Sequence, residues 1–302
     1  MYLGWPLKAR ETAFEIRGGE GLKEIAGLLK EKKLIRSVFL FKLYTLLTGE
    51  AQYLKPGFYK LNGRYSPAAI SSLLVRGPED ITVKIPEGTS LSGVEEILSS
   101  AEVVESGSLT GFPAKDLVSR YSFMENLDTA EGLLFPDTYA LRKSSPPLEA
   151  MVKMIDRFRE KIWPILEGKK DWYDILILAS LLEREVPDFE ERKIVAGILM
   201  KRLKLGMTLQ VDAAVCYLKA RNGRCYPLGK NDFAVDSLYN TYLYRGLPPA
   251  PIANPGLSAI NAALNPAPSS YIYYLSDPKT GKTVFSETLE EHNENRRKYL
   301  NI

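Results

Sequence analysis

Asp174-Ile175-Leu176-Ile177-Leu178-Ala179-Ser180-Leu181-Leu182-Glu183-Arg184-Glu185 carries the strongest helical signal in the chain. No glycine or proline interrupts it, and at roughly 100° per residue Glu185 lines up with Leu178, Leu181 and Leu182 inside the apolar face. Glu183 instead follows Leu176, Ala179 and Ser180 on the more polar flank. The apolar run Ile175 to Leu182 is far short of the roughly 18–20 residues that cross a bilayer, so the sequence reads as that of a soluble chain. Pro187 closes the helix. Asp188 with Glu191 then reads as a capping box that opens the next one, Glu190–Leu205, and Gly206 stands where a C-terminal glycine belongs.

Working outward, helices are expected at Lys115–Tyr121, Leu148–Ile162, Tyr173–Glu185, Ala213–Arg221, Leu257–Leu264 and Leu289–Leu300, the last with a Thr288/Glu291 capping box. Tyr271–Leu275 and Thr283–Phe285 read as a β-hairpin. The proline-rich run Arg245–Gly256 is too apolar for a flexible linker and reads as an ordered loop. The first hundred residues have a different texture. Short strands at Phe14–Ile16, Gly57–Leu61 and Ile81–Ile85 alternate with helices, including one over about Arg36 to Leu47 and one opening at Ser66-Pro67. Gly19–Ala26 faintly echoes Glu87–Ile97, each following a strand and opening a helix. The polar stretch Ser99–Ser108 marks a boundary. The expected fold class is therefore α+β: a small N-terminal β-α module over 11–100 and a larger, mainly helical domain with a β-hairpin over 101–302.

Composition narrows the chemistry. In 302 residues, 45% are apolar and 25% charged, and 40 Lys+Arg against 37 Asp+Glu leave +3, so total charge calls for no nucleic-acid partner. With one histidine, His292, and two cysteines, Cys216 and Cys225, neither an HExxH site nor a Cys/His zinc cluster can be assembled. No metal and no cofactor is expected, and no Walker-type loop or GxGxxG is present. Cys216 and Cys225 flank the turn Asn222-Gly223-Arg224, and either a small disulfide loop or two free thiols fits. Carboxylates and hydroxyls remain as the working groups.

Among them Glu185 stands out. A carboxyl held among leucines loses hydration and, in the last turn, meets the negative end of the helix dipole; both effects raise its pKa and suit a general acid. The competing structural reading pairs Glu185 with Arg202 of the next helix. Gln210 and Asp212, Asn240 and Tyr242, and Asn254 lie in segments that can reach a cleft, where amides and rings suit neutral sugars. Each also has a structural alternative: Asp212 can cap the helix from Ala213, and Asn254-Pro255-Gly256 can simply turn the chain.

Four motifs, in order and spacing, give the chain a resemblance. Glu131-Gly132-Leu133-Leu134-Phe135-Pro136-Asp137-Thr138-Tyr139, Ala179–Glu185, Arg202–Asp212, and Asn240-Thr241-Tyr242 running on to Asn254-Pro255-Gly256 resemble those of the YceG-like endolytic murein transglycosylases. The resemblance implies a LysM-like module (11–100) joined to a YceG-like catalytic domain (101–302), with residues 1–10 as linker after an N-terminal membrane anchor that this chain lacks. It implies cleavage of peptidoglycan glycan strands between N-acetylmuramic acid and N-acetylglucosamine, leaving 1,6-anhydro-muramyl ends, at the extracytoplasmic face of the bacterial plasma membrane. The family's catalytic glutamate falls on Glu185. Glu183, Gln210, Asp212, Asn240, Tyr242 and Asn254 are the expected substrate-binding residues, and Asp137 is expected to be structural. Cell-wall synthesis machinery is an expected partner. Three rival readings stay open: a hydrolase using Glu183 or Asp212 as a second carboxylate, a non-catalytic glycan-binding protein, and a scaffold.

Overall fold

The computed structural model describes residues 7–78, 80–220, 225 and 227–300. Contacts divide the chain into two compact units. The first comprises the chain up to Val83 together with Ile97–Ser108 and Thr138–Ala150; the second comprises Lys84–Glu96, Leu109–Asp137 and the chain from Met151 onward.

The first unit is built on a two-stranded antiparallel sheet. β1 (Leu7–Ile16) is followed by α1 (Leu22–Glu31), α2 (Val38–Leu47), β2 (Gly57–Tyr65) and α3 (Pro67–Arg76). β1 and β2 pair from Leu7↔Tyr65 to Ile16↔Gly57, with a register shift between Ala9 and Thr12. Strand alternation sends Phe14 and Ile16 inward and leaves Glu15 exposed. Phe14 and its register partner Tyr59 stack their rings at 5.5 Å. Against them pack Ile25, Ala26 and Leu29 of α1, Phe41 of α2, and Ile70 and Leu74 of α3. The Ser37 and Ser66 hydroxyls accept the N–H groups of Leu40 and Ala69 and so cap α2 and α3, with Pro67 preset at the first helical position. β3 (Asp80–Lys84) runs on to α4 (Leu91–Ser100), and β3 pairs with β4 (Thr138–Arg142).

The second unit is mostly helical: α5 (Pro147–Lys161), the single turn α6 (Trp163–Leu166), α7 (Trp172–Glu185), α8 (Phe189–Lys204), α9 (Asp212–Ala220) and α10 (Leu257–Leu264), then the hairpin β5 (Tyr273–Ser276) and β6 (Thr283–Ser286), and α11 (Leu289–Leu300). α7 is its axis. Every residue from Leu176 to Leu182 is buried, so the middle of the helix has no solvent face and packs against α8, α9 and α10. Gly197 of α8 permits a close crossing, because a Cβ there would lie 2.0 Å from the Ala267 carbonyl oxygen. Gly206, at φ +65, ends α8 in the left-handed conformation.

The α+β class holds, and some details differ from expectation. Lys115–Tyr121 is no α-helix: only a short 3₁₀ turn, Ala114–Leu117, forms, because Leu117 and Tyr121 reach the core by successive tight turns after Pro113. Strand β4 grows out of the Phe-Pro-Asp-Thr-Tyr motif, which gave no strand signal. The capping boxes are half-formed. Asp188 accepts the Glu191 N–H, but the Glu191 carboxylate turns to the N–H and hydroxyl of Thr283 and ties α8 to the hairpin. The turn Asn222-Gly223-Arg224 lies outside the described residues.

Candidate active site

Glu185 is the last residue of α7, and the extended backbone of Val186 stops the helix there. The chain turns back through α8, ends it at Gly206, and returns through Leu209-Gln210-Val211 into α9, whose first turn faces the carboxyl. Ala213 N–H donates to Glu185 Oε1 at 2.9 Å. From the hairpin, the Tyr274 hydroxyl donates to Oε2 at 3.4 Å. The two carboxyl oxygens are thus distinct: one is held by a helix N-terminal amide, the other faces a phenol in a cleft of about 870 Å³. Gln210, Asp212, Tyr242, Arg184 and Arg202 share the lining of that cleft, with Tyr273, Tyr274 and His292.

The cleft makes Glu185 a weak acid. Loss of hydration raises its pKa to about 7 and the neighbouring Asp212 charge adds to the rise, while Ala213 N–H, the Tyr274 hydroxyl and Arg184 oppose it. Near neutral pH the group is therefore divided between acid and carboxylate, as an acid/base catalyst requires. Asp212 opens α9 and accepts the Tyr242 hydroxyl, whose own ionisation is pushed up by burial and by that bond. Ala213 N–H, in the first turn of α9, meets the carboxyl of Glu185.

Arg202 does not pair with Glu185. It is buried, donates from Nε to the Ile272 carbonyl at 2.8 Å and from Nη1 to the Leu209 carbonyl at 2.7 Å, and lies 5.3 Å from the Tyr273 ring centroid. Burial lowers its pKa. It braces the hairpin and the segment before Gln210, and with no direct counter-ion among the described residues it adds positive potential to the cleft wall. The His292 ring stacks on the same tyrosine, its centroid 5.2 Å from that of Tyr273.

Of the expected substrate-binding residues, the structure brings Gln210, Asp212 and Tyr242 to the cleft beside Glu185. Gln210 is exposed there, with a left-handed φ of 53° fixed in part by its N–H bond to the Thr241 carbonyl. A non-glycine residue held at positive φ costs energy that the surrounding contacts must offset, and such positions cluster at functional sites. Three others have their side chains bonded within the protein. The Glu183 side chain is 5% exposed, accepts Arg192 Nη2 at 2.7 Å and the Gly256 N–H at 2.9 Å, and is spent on the scaffold. Asn240 is fully buried and donates to the carbonyls of Phe233 and Val235 while accepting Tyr242 N–H, so it shapes the loop that carries Tyr242. Asn254 is also fully buried; it accepts Leu134 N–H at 2.8 Å and donates to the Thr89 carbonyl at 2.8 Å. In each case every available polar atom has a protein partner that a sugar would have to displace.

The other motif residues fall into place around this frame. Buried Glu131 accepts Leu91 N–H at 2.8 Å, at the start of α4, and Tyr217 OH at 3.3 Å. Asp137 pairs with Arg157 at 2.7 Å. Cys216 of α9 is joined to Cys225 by a disulfide, which decides between the two readings left open by the sequence. Among the described residues, no group of three or more His, Cys, Asp or Glu is placed to hold a metal ion. Tyr274 was missed as a site residue: the aromatic strand was legible, but nothing local says that it packs over the end of α7.

Comparison with known proteins gives this geometry its context. Residues 14–298 match the YceG-like family. A Bacillus subtilis (strain 168) protein named endolytic murein transglycosylase is 31% identical over 94% of this chain and 84% of its own length. A Streptococcus pneumoniae protein of the same name is 28% identical over 94% of this chain, which spans 57% of that longer relative. The crystal structure of a YceG-like protein from Listeria monocytogenes superposes with a TM-score of 0.62 and 28% identity, covering 95% of this chain and 99% of that one.

Proposed function

The chain belongs to the YceG-like family, and from that premise we propose that it is an endolytic lytic transglycosylase of peptidoglycan, with Glu185 acting first as acid and then as base. It cleaves the bond between N-acetylmuramic acid and N-acetylglucosamine and closes a 1,6-anhydro ring on the muramyl residue. The observation that carries this reading is the pair of unlike oxygens on Glu185. Oε1 accepts Ala213 N–H, so in the neutral acid the proton belongs on Oε2, the oxygen on the Tyr274 side.

The reaction then needs one carboxyl. Oε2–H protonates the glycosidic oxygen as its bond to the muramyl anomeric carbon breaks through an oxocarbenium-like state. The carboxylate left behind is stabilised by Ala213 N–H at the positive end of α9, and it takes the proton of the substrate's C6 hydroxyl as that oxygen closes onto the anomeric carbon. The nucleophile is already attached to the reacting ring, so proximity replaces an activated water. Asp212, engaged by Tyr242, raises the basicity of Glu185 through its charge, and Gln210 and Tyr242 line the path of the sugars.

The first unit serves this reaction as a LysM-like glycan-binding module, a reading supported by its β1–α1–α2–β2 order over a single small core. The site of action is the extracytoplasmic face of the plasma membrane, close to cell-wall synthesis machinery. The Cys216–Cys225 disulfide supports that location, since such bonds persist in oxidising compartments.

The test is mass spectrometry of fragments released from purified peptidoglycan by the wild type and by Glu185→Gln. Anhydro-muramyl ends from the wild type alone are expected. Reducing ends would instead mean hydrolysis with Asp212 as a water-activating base.

A further inference from the structure

The most anomalous surface of the molecule lies on α2, far in sequence from the cleft residues. Its sequence, Val38-Phe39-Leu40-Phe41-Lys42-Leu43-Tyr44-Thr45-Leu46-Leu47, is apolar almost throughout, yet only Phe41 and Thr45 are buried. Phe39, Leu40, Leu43, Leu46 and Leu47 are 72%, 51%, 41%, 61% and 78% exposed. At about 100° per residue these five fall within an arc of about 120°, opposite the core face that holds Phe41. Such a stripe is not scattered surface apolarity. It is a contiguous face that water solvates poorly and that another apolar phase would cover.

Charge says which phase. Between Lys30 and Leu47 stand five cations, Lys30, Lys32, Lys33, Arg36 and Lys42, against one acid, Glu31. Lys30, Lys32, Lys33 and Arg36 are exposed in the end of α1 and the turn leading to α2, and Lys42 flanks the stripe. The chain as a whole is nearly neutral, so this concentration is local. An apolar helical face bordered by lysine and arginine is the pattern of a helix lying in the interface of a bilayer with anionic headgroups. A second copy fits poorly, because two-fold pairing of α2 would bring two such cationic rims together. Glycan fits poorly too, since four leucines and one phenylalanine offer no partner for sugar hydroxyls.

We propose that α2 is a membrane-contact surface, with Phe39, Leu40, Leu43, Leu46 and Leu47 seated among acyl chains and the basic turn on anionic headgroups. The proposal rests on α2 alone and stands whether or not the cleft cleaves glycan. Its test is sedimentation of the full chain with vesicles of phosphatidylglycerol and phosphatidylcholine in equal parts, and with phosphatidylcholine alone. Binding is expected to the anionic vesicles and to weaken at least tenfold in Leu43→Glu/Leu47→Glu. It should also weaken in Lys32→Glu/Lys33→Glu, and high salt should mimic the second variant only. All four positions are exposed, so both variants should keep the wild-type unfolding transition. Absence of vesicle binding, or binding indifferent to Leu43→Glu/Leu47→Glu, would overturn the proposal. So would a concentration-dependent dimer that this variant abolishes, which would assign the stripe to a second copy.

Discussion

Two glutamates two residues apart on α7 have opposite fates. On the inner side, Glu183 meets Arg192 and the Gly256 N–H, and its charge is neutralised, buried and structural. On the cleft side, Glu185 has a single amide and a phenol, no cationic partner in direct contact, and a pKa near 7. Residues i and i+2 of a helix point roughly 160° apart, so one turn presents one carboxyl to the scaffold and the other to the cleft. The difference teaches that the surroundings of a carboxyl here are set by which face of the last turn it occupies, and not by local sequence, which is Glu-Arg-Glu throughout.

The sharpest way to break the comparison is to exchange the roles. Glu185→Gln should remove glycan cleavage by more than about a thousandfold, because the proposed acid/base is lost, as read from the rate of anhydro-end formation. The same change should not harm the fold. A carboxyl whose folded pKa is raised binds more protons folded than unfolded, so it lowers stability as pH rises from 4.5 toward about 7. Glu185→Gln should therefore be more stable than wild type at pH 8 by about 1–2 kcal/mol, in denaturant melts. Equal stability at pH 8 would show that the carboxyl is not desolvated.

Glu183→Ala should behave in the opposite sense. It leaves Arg192 buried without its counter-ion and should cost about 3–5 kcal/mol of stability, while Glu183→Leu/Arg192→Met should recover most of the loss. A Glu183→Ala protein with wild-type stability and no activity would move Glu183 into the catalytic machinery.

Subtler changes tune Glu185 from either side. Asp212→Asn withdraws a charge that raises its pKa, and Tyr274→Phe withdraws a hydrogen bond that lowers it. The basic limb of the activity profile, where the acid form is lost, should shift to lower pH in the first variant and to higher pH in the second. Shifts in the same direction would contradict the assignment. The smallest effect is expected at Gln210, where replacement by glycine relieves a left-handed backbone and should change stability by no more than about 1 kcal/mol while weakening glycan binding.

The sequence was most legible where one periodicity sufficed. The desolvation of Glu185 could be read from its alignment with Leu178, Leu181 and Leu182, and the strand alternation at Phe14 and Ile16 likewise survives in the structure. It was least legible where a side chain serves distant backbone. Asn254 bonds Leu134 and Thr89, 120 and 165 residues away, and an amide so used looks in sequence like one free to bind sugar. The partners of Glu183 were hidden for a related reason, since Arg192 belongs to the next helix and the Gly256 N–H to a loop 73 residues on. Tyr274 depends on where the hairpin docks, which only long-range packing decides.

The proline-rich run has no regular secondary structure from Pro251 to Gly256 apart from one isolated bridge, yet its amides are not loose. Ile252 N–H donates to the buried Ser180 hydroxyl, Asn254 N–H to the Thr89 carbonyl and Gly256 N–H to Glu183, while Pro251 and Pro255 carry none. Two of those acceptors are side chains of α7, so exchange of those two hydrogens with solvent requires the loop to lift off the unit's central helix. Measured by the clock of hydrogen exchange, this coil belongs with the helices.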